Sequence, residues 1–130
     1  MFLEVGASLA ASDLDRARRW YEEKLGLTPY EVWPEPGLLL YRVGTSHFSI
    51  YLTPSAGTAK NTVAGIMVSD LRAEVARLRA RGVVFEDYDL DAIKTVDGVA
   101  EDERDGSTNA WFTDSEGNVL VLAQDGPPKA

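Results

Sequence analysis

The chain has 130 residues, of which 45% are hydrophobic and 26% charged, and its formal net charge is −8. This composition is typical of one globular domain, and the negative charge argues against a nucleic-acid partner because phosphate binding needs a basic surface. The absence of cysteine excludes disulfides and thiolate chemistry, and the single histidine, His47, excludes any site that needs two histidines from one chain. No stretch reaches about 18 apolar residues and no signal-peptide pattern opens the chain, so we expect a cytoplasmic protein without a membrane partner.

The first half of the chain predicts one helix among four strands. Ser12 or Asp13 is placed to cap a helix whose apolar positions recur at helical spacing, and Gly26 is suited to the left-handed conformation that ends it. Proline and glycine separate the remaining apolar runs, which are typical of strands. The predicted strands are Leu3–Ala11, Thr28–Trp33, Leu38–Val43 and His47–Thr53.

The second half repeats this order at an offset of 57 residues. Ser12-Asp13-Leu14 recurs as Ser69-Asp70-Leu71, again between a strand-like run and a helical pattern that ends near Gly82. Each half is therefore a predicted βαβββ module, and the fold class is α+β. We expect a single domain with module one at about 1–53, a linker at about 54–60 and module two at about 61–125. The strands predicted in module two are Thr62–Val68, Val83–Phe85, Thr108–Thr113 and Val119–Gln124, with a tight turn at 115–118.

An acidic insertion, residues 86–106, breaks the symmetry between the halves. Loops of this length in a small domain are either functional lids or solvated segments, and both readings stay open here. Its apolar residues Tyr88, Leu90, Ile93 and Val96 favour partial packing. We predict a lid over the mouth of the second module's sheet, with Tyr88 and Lys94 near the opening and Trp111 beneath it.

Two motifs carry a family resemblance. The segment 12–27, Ser-Asp-Leu-Asp-Arg-Ala-Arg-Arg-Trp-Tyr-Glu-Glu-Lys-Leu-Gly-Leu, and the segment 110–120, Ala-Trp-Phe-Thr-Asp-Ser-Glu-Gly-Asn-Val-Leu, resemble the vicinal oxygen chelate superfamily. This group contains glyoxalase I, bleomycin-resistance proteins and extradiol dioxygenases. The resemblance implies two modules that form a curved mixed sheet around a cavity, with the helices outside. It also implies a homodimer.

Catalytic members of that superfamily hold a metal at four positions, one on the first and one on the last strand of each module. The resemblance places these positions at Gly6, Tyr51, Val63 and Val121 in this sequence. Glycine and valine offer no donor atom, and a neutral tyrosine is a poor ligand for a divalent ion. The resemblance therefore implies a member of the superfamily that uses no metal and no other cofactor.

Strand alternation indicates which residues line the wall of the implied cavity. The wall is small, apolar and lightly hydroxylated, which suits a planar or hydrophobic ligand, and Trp33, Tyr41, Tyr51 and Trp111 are the aromatic residues expected near its rim. Arg42 either meets a ligand carboxylate or faces solvent. The candidate ligand-binding residues are Trp33, His47, Ser49, Tyr51, Met67, Tyr88, Lys94, Trp111 and Val121.

Three functions remain open from the sequence. The first is a metal-independent small-molecule binding protein of the bleomycin-resistance type, with a hydrophobic, aromatic or cationic ligand that the acidic surface would attract. The second is a metal-free lyase or isomerase that uses His47 or Lys94 as an acid–base group. The third is a self-associating domain without small-molecule function.

Overall fold

The structure, a computed structural model, describes residues 1–127 as eight strands, two α-helices and one π-helical turn. In chain order these are β1 (Ala7–Ala11), α1 (Leu14–Trp20), the π turn (Tyr21–Leu25), β2 (Glu31–Trp33), β3 (Leu38–Val43), β4 (Ser46–Leu52), β5 (Thr62–Met67), α2 (Leu71–Ala80), β6 (Ala100–Glu101), β7 (Thr108–Thr113) and β8 (Val119–Gln124).

The strands form two four-stranded sheets, and the predicted α+β class with two βαβββ modules is confirmed. The first sheet has the order β1-β4-β3-β2, in which β1 runs parallel to β4 and the other neighbours are antiparallel. The second sheet has the order β5-β8-β7-β6 and contains the antiparallel pairs β7–β8 and β6–β7. Each sheet thus repeats the same strand order within its half of the chain.

The chain divides into two compact units. The first consists of residues 1–63 together with residues 114–118, and the second consists of the other described residues. The segment 114–118 is the turn between β7 and β8, so a turn between two strands of the second sheet belongs to the first unit.

The helix ends follow the signals in the sequence. Asp13 and Asp70 are extended residues whose side chains accept hydrogen bonds from backbone amides three positions on, Arg16 N at 3.0 Å and Ala73 N at 3.2 Å. These contacts satisfy amide groups that the first turn of a helix leaves without partners. Gly26 adopts the left-handed conformation at φ +70°, which ends the π turn as predicted.

The core of the first unit lies between its sheet and its helix. Tyr21, Leu39 and Ile50 are among the side chains that are 2% exposed or less. The expectation that Tyr41 lies at a cavity rim is wrong, because this residue is fully buried and its ring stacks on Phe48 with centroids 4.8 Å apart. Tyr41 shares strand parity with the core residue Leu39, and a strand sends alternate side chains to the same face.

Some predicted strand bounds are also wrong. Residues 3–6 and 28–30 lie outside the first sheet's strands, and Val83–Phe85 contributes only one bridge, between Phe85 and Phe112. The fourth strand of the second sheet is instead β6, inside the acidic insertion, which pairs with β7 through Ala100 and Asn109. Val83 and Phe85 are buried, so this apolar run packs in the core rather than extending a ladder.

Candidate functional site

The first sheet has one face turned away from the core, which we call the first open face. It carries the side chains that alternate with the buried ones, and the strand registers arrange them in three rows. The aromatic row holds Ala10, Tyr51, Leu38 and Trp33; the hydroxyl row holds Ser8, Ser49, Leu40 and Glu31; and the charged row holds Arg42 and His47.

The aromatic row is accessible. Trp33 is 47% exposed and Tyr51 is 41% exposed, whereas Leu39 and Ile50 on the opposite face are buried. The Trp33 indole N–H donates a hydrogen bond to the Glu31 carboxylate. The sequence predicts that Trp33 and Tyr51 both lie near the rim of a cavity, and the register aligns both of them with Leu38.

The hydroxyl row brings two serines together. Ser49 Oγ lies 3.3 Å from Ser8 Oγ, within hydrogen-bond distance, on the parallel strands β4 and β1. This contact places the sequence-predicted Ser49 on the same face as Tyr51, two residues along the strand. The two hydroxyls are the uncharged polar groups nearest to the aromatic row.

In the charged row, the His47 side chain packs against Gly6. His47 Nε2 lies 3.6 Å from Glu4 Oε1, and a Cβ built on Gly6 would lie only 2.7 Å from His47 Nε2. The imidazole therefore occupies the space that any side chain at position 6 would need. Arg42 lies directly opposite His47 on β3, and its guanidinium carbon is 4.2 Å from the centroid of the Tyr30 ring.

The four positions that the family resemblance assigns to metal ligands provide no donor set. Gly6 has no side chain, Val63 and Val121 are aliphatic, and Tyr51 offers one phenol. Within residues 1–127, no group of three or more histidine, cysteine or acidic side chains is arranged to hold a metal ion. The residues at these positions therefore do not fit a catalytic divalent metal.

The second sheet has a comparable face, which we call the second open face. Trp111 and Val121 lie directly opposite each other on β7 and β8, while Phe112 points into the core and is fully buried. The Tyr88 ring contacts Trp111 edge to face, with centroids 5.6 Å apart. A Cβ built on Gly65 would lie 3.4 Å from Val121 Cγ1, so β5 approaches the same apolar surface.

Met67 and Lys94 complete the predicted residues of the second unit. Met67, at the end of β5, is 60% exposed. The Lys94 side chain is exposed. The backbone of Lys94 forms an isolated antiparallel β-bridge with that of Asp89 in the acidic insertion. The structure thus brings Tyr88, Trp111 and Val121 together, whereas Lys94 has an exposed side chain.

The acidic insertion is ordered by its own hydrogen bonds. Thr95 N donates to Tyr88 O at 2.9 Å, and the Asp87 carboxylate accepts from Thr95 Oγ1 at 2.7 Å and from Gly98 N at 2.8 Å. The bond from Thr95 and then that from Gly98 lower the pKa of Asp87. The expected packing of Leu90 and Val96 is wrong, because they are 55% and 79% exposed; the turn directs these side chains outward.

The sequence analysis missed a buried carboxylate in the turn 114–118. Glu116 accepts hydrogen bonds from the backbone amides of Ser12 and Asp13 at 3.0 and 3.1 Å, and from the Arg16 guanidinium at 2.8 Å. Its side chain is 1% exposed. Burial alone would raise the pKa of Glu116, but the hydrogen bonds from Arg16, Ser115 and the Asp13 amide lower it to about 2.

The neighbouring acid of this turn is buried as well. Asp114 accepts from the Tyr21 hydroxyl at 2.5 Å and from the backbone amides of Glu116 and Asn118 at 2.9 Å. The Asn118 side chain donates to Ala10 O at 2.8 Å. This network holds the turn against α1 and β1, so the motif at 114–118 acts in the packing of the first unit. A polar turn predicts exposure, and no local signal indicates these distant partners.

Comparison with known proteins supports the fold. The family model of the Glyoxalase/Bleomycin resistance protein/Dioxygenase superfamily matches residues 5–122. A search of curated protein sequences finds no match. None of the helices within residues 1–127 has the length and apolar character needed to cross a membrane.

Solved structures share the architecture at low sequence identity. A bleomycin-binding protein complexed with bleomycin has a TM-score of 0.71 at 19% identity, covering 95% of this chain and 99% of that chain. TnmS3, an antibiotic binding protein from Streptomyces sp. CB03234, has a TM-score of 0.65 at 22% identity, with coverage of 97% and 99%. A lactoylglutathione lyase from Agrobacterium tumefaciens has a TM-score of 0.66 at 18% identity, with coverage of 94% and 92%.

Proposed function

The chain belongs to the glyoxalase/bleomycin resistance protein/dioxygenase superfamily, and from this premise we propose that it is a metal-independent small-molecule binding protein of the bleomycin-resistance type. The observation that carries the proposal is the pair of open faces, on which Trp33, Tyr51 and Trp111 stand away from the core. Accessible aromatic rings among small side chains suit a planar or hydrophobic ligand. Two structural neighbours, an antibiotic binding protein and a bleomycin-binding protein, support the same class of function.

The donor set favours binding over metal-dependent catalysis. Gly6, Val63 and Val121 leave the superfamily's ligand positions without donor atoms, so the chemistry of the metal-dependent branches has no support in these residues. The net charge of −8 attracts cationic molecules toward the surface. The proposed ligand is therefore hydrophobic, aromatic or cationic.

A metal-free lyase or isomerase is the second candidate, and one contact favours it. His47 Nε2 lies 3.6 Å from the Glu4 carboxylate, so two groups capable of acid–base chemistry lie side by side at this point. Lys94 lacks a comparable setting because its side chain is exposed. Turnover separates the two functions: a binding protein returns its ligand unchanged.

The proposal includes two features of assembly and access. The chain forms a homodimer, in which a second copy covers apolar surface near the first sheet, including the exposed residues Phe2 and Leu3. The acidic insertion, residues 86–106, acts as a lid on the second open face through the contact of Tyr88 with Trp111. A self-associating domain without a ligand would bind a second copy but no small aromatic compound.

Tryptophan fluorescence tests the binding site. We expect a planar aromatic ligand, including bleomycin as one probe, to quench the emission of the folded protein because Trp111 lies on the second open face. Trp111→Leu should remove most of the quenching. Trp20→Leu is the matched control, since the Trp20 ring packs against Tyr21 in the first unit. Equal loss in both variants, or no quenching by any probe, contradicts the proposal.

A further inference from the structure

The first open face is polarised along its strands. Arg42 and His47 lie directly opposite each other at one end, and directly opposite residues of antiparallel strands have Cβ atoms about 4.5–5.5 Å apart. Leu38 and Tyr51 form the row four residues away, which corresponds to about 13 Å along a strand. The Ser8 and Ser49 hydroxyls lie between the two ends.

Arg42 is held in place but has no acidic partner. Its guanidinium lies 4.2 Å from the Tyr30 ring centroid, a cation–π distance that restrains the side chain. Within residues 1–127, no carboxylate lies within salt-bridge distance of Arg42. The acid of the hydroxyl row, Glu31, accepts the indole N–H of Trp33, which lies in the aromatic row.

The charged end already accommodates a carboxylate from the chain itself. Glu4 Oε1 lies 3.6 Å from His47 Nε2, and the Glu4 side chain is 71% exposed. Gly6 has no side chain, and the imidazole itself fills the space beside it. An acidic group of a ligand therefore finds one cation, Arg42, and one imidazole at this end, and it can displace the exposed Glu4 carboxylate.

We infer that the first open face selects an elongated aromatic molecule with a carboxylate or similar acidic group at one end, an inference that rests on the proposed function. The acid accepts hydrogen bonds from the Arg42 guanidinium, whose planar geometry matches a carboxylate. The apolar body lies along Leu40 and Leu38 toward Tyr51 and Trp33. Because the net charge of −8 repels anions, this selectivity depends on the local cation.

Calorimetric titration of the full chain tests the inference with three probes of equal shape. These are biphenyl-4-carboxylate, biphenyl-4-carboxamide and the biphenyl-4-methylammonium ion. We expect the carboxylate to bind about three- to tenfold more tightly than the amide. Arg42→Gln should lower the carboxylate affinity to that of the amide, and Arg42→Lys should keep part of the preference because it retains the charge.

The matched control is Arg19→Gln, which removes the same charge from the exposed side of α1 and should keep the wild-type preference. Thermal melting of each variant verifies that it is folded. Equal affinity for the carboxylate and the amide, tighter binding of the ammonium ion, or a preference that survives in Arg42→Gln overturns the inference while the proposed function stands. If none of the three probes binds at millimolar concentration, both fail.

Discussion

Two buried tyrosines of the first unit differ in what their hydroxyl groups meet. The Tyr21 hydroxyl donates to Asp114 Oδ2 at 2.5 Å, whereas the Tyr41 hydroxyl has no hydrogen-bond partner within residues 1–127. Burial raises the pKa of Tyr41 to about 12. Burial, followed by the Asp114 carboxylate, raises the pKa of Tyr21 well above its ordinary value. Both phenols therefore stay neutral in the folded protein at neutral pH, but only one of them is satisfied.

Replacing each tyrosine by phenylalanine should give opposite results. Tyr21→Phe removes a donor from a buried carboxylate, and we expect it to lower the free energy of unfolding by about 1–3 kcal/mol. Tyr41→Phe removes an unsatisfied buried hydroxyl, and it should be neutral or stabilising by up to about 1 kcal/mol. Urea unfolding at pH 7 measures both. A Tyr41→Phe loss equal to that of Tyr21→Phe would show that the Tyr41 hydroxyl has a partner.

Glu116 gives the protein a pH-dependent contribution to stability. Its pKa is about 2 in the folded state against 4.5 for an unperturbed glutamate. Because the folded-state pKa is the lower one, the contribution is complete above about pH 4.5 and is lost as the pH falls toward 2. The depression of this pKa corresponds to roughly 3 kcal/mol at neutral pH.

We expect Glu116→Gln to lower the free energy of unfolding by roughly 2–3 kcal/mol at pH 7, with the deficit shrinking toward zero near pH 2. Urea unfolding series at pH 7, 5, 4, 3 and 2 follow this convergence. The control is Glu103→Gln on the exposed part of the insertion, which should stay within about 0.5 kcal/mol of the wild type. A deficit that is independent of pH would contradict the role of the Glu116 charge.

At the scale of elements, the turn 114–118 depends on a close backbone approach. Gly117 has φ +90°, and a Cβ built there would lie 2.7 Å from the Cα of Gly57, in the linker. Both residues belong to the first unit. Main-chain atoms cannot yield as the end of a flexible side chain can, so only glycine fits this turn. The same turn carries the buried carboxylates Asp114 and Glu116.

Gly117→Ala should therefore lower the free energy of unfolding by more than a glycine-to-alanine substitution at another left-handed position. We expect a loss of about 2–4 kcal/mol, from an unfavourable φ together with the contact to Gly57. Gly44→Ala is the matched control: Gly44 has φ +58°, but a Cβ there meets nothing within 4 Å, so the loss should be about 1 kcal/mol. Thermal and urea unfolding of the pair measure the difference. Equal losses would refute the close approach.

Alternation of side chains and turn residues predicted those strands whose bounds depend on neighbouring residues alone. The bounds of β3, β7 and β8 agree with the sequence, because alternation and flanking turns define them within a few residues. The prediction of a strand at Val83–Phe85 was wrong, because a short apolar run can either pair in a sheet or pack in the core without pairing. β7 instead pairs with Ala100 and Glu101, a two-residue strand in the acidic insertion that is too short for an alternation pattern to indicate.

In the candidate site, too, the sequence predicted the features that depend on a single strand but not those that depend on distant partners. Strand parity predicted that Ser49 and Tyr51 share a face and that Phe112 lies opposite Trp111, and the structure has this arrangement. Strand parity also places Tyr41 on the core face with Leu39. The prediction that Tyr41 lies at the cavity rim did not take this parity into account. The partners of Glu116 lie about a hundred positions away in the sequence, so only the folded chain shows them.

At the scale of the whole molecule, exposed apolar surface supports self-association. Met1, Phe2, Leu3 and Val5 precede β1 and are 89% exposed or more. Strand β1 is also an edge strand of its sheet, and both features are costly in water unless a partner covers them. We therefore expect a homodimer with a mass near twice 14.2 kDa.

Sedimentation equilibrium at micromolar concentration measures that mass. Replacing Phe2 and Leu3 together by serine should weaken the dimer by about tenfold or more, because it removes two exposed apolar side chains. The control replaces Val84, an exposed residue beyond α2, by serine and should leave the dimer intact. A wild-type mass near that of one chain contradicts the homodimer.

We propose that the chain binds a planar aromatic molecule on its open faces and releases it unchanged. Affinity selection of a mixed library by the folded protein, followed by mass spectrometry of the bound and released compounds, tests it most directly. We predict that planar aromatic compounds are enriched, that their masses are unaltered on release, and that Trp33→Leu or Trp111→Leu depletes them while Trp20→Leu does not. Enrichment of no compound, conversion of the bound compounds to products, or the same enriched set in all three variants would contradict the account.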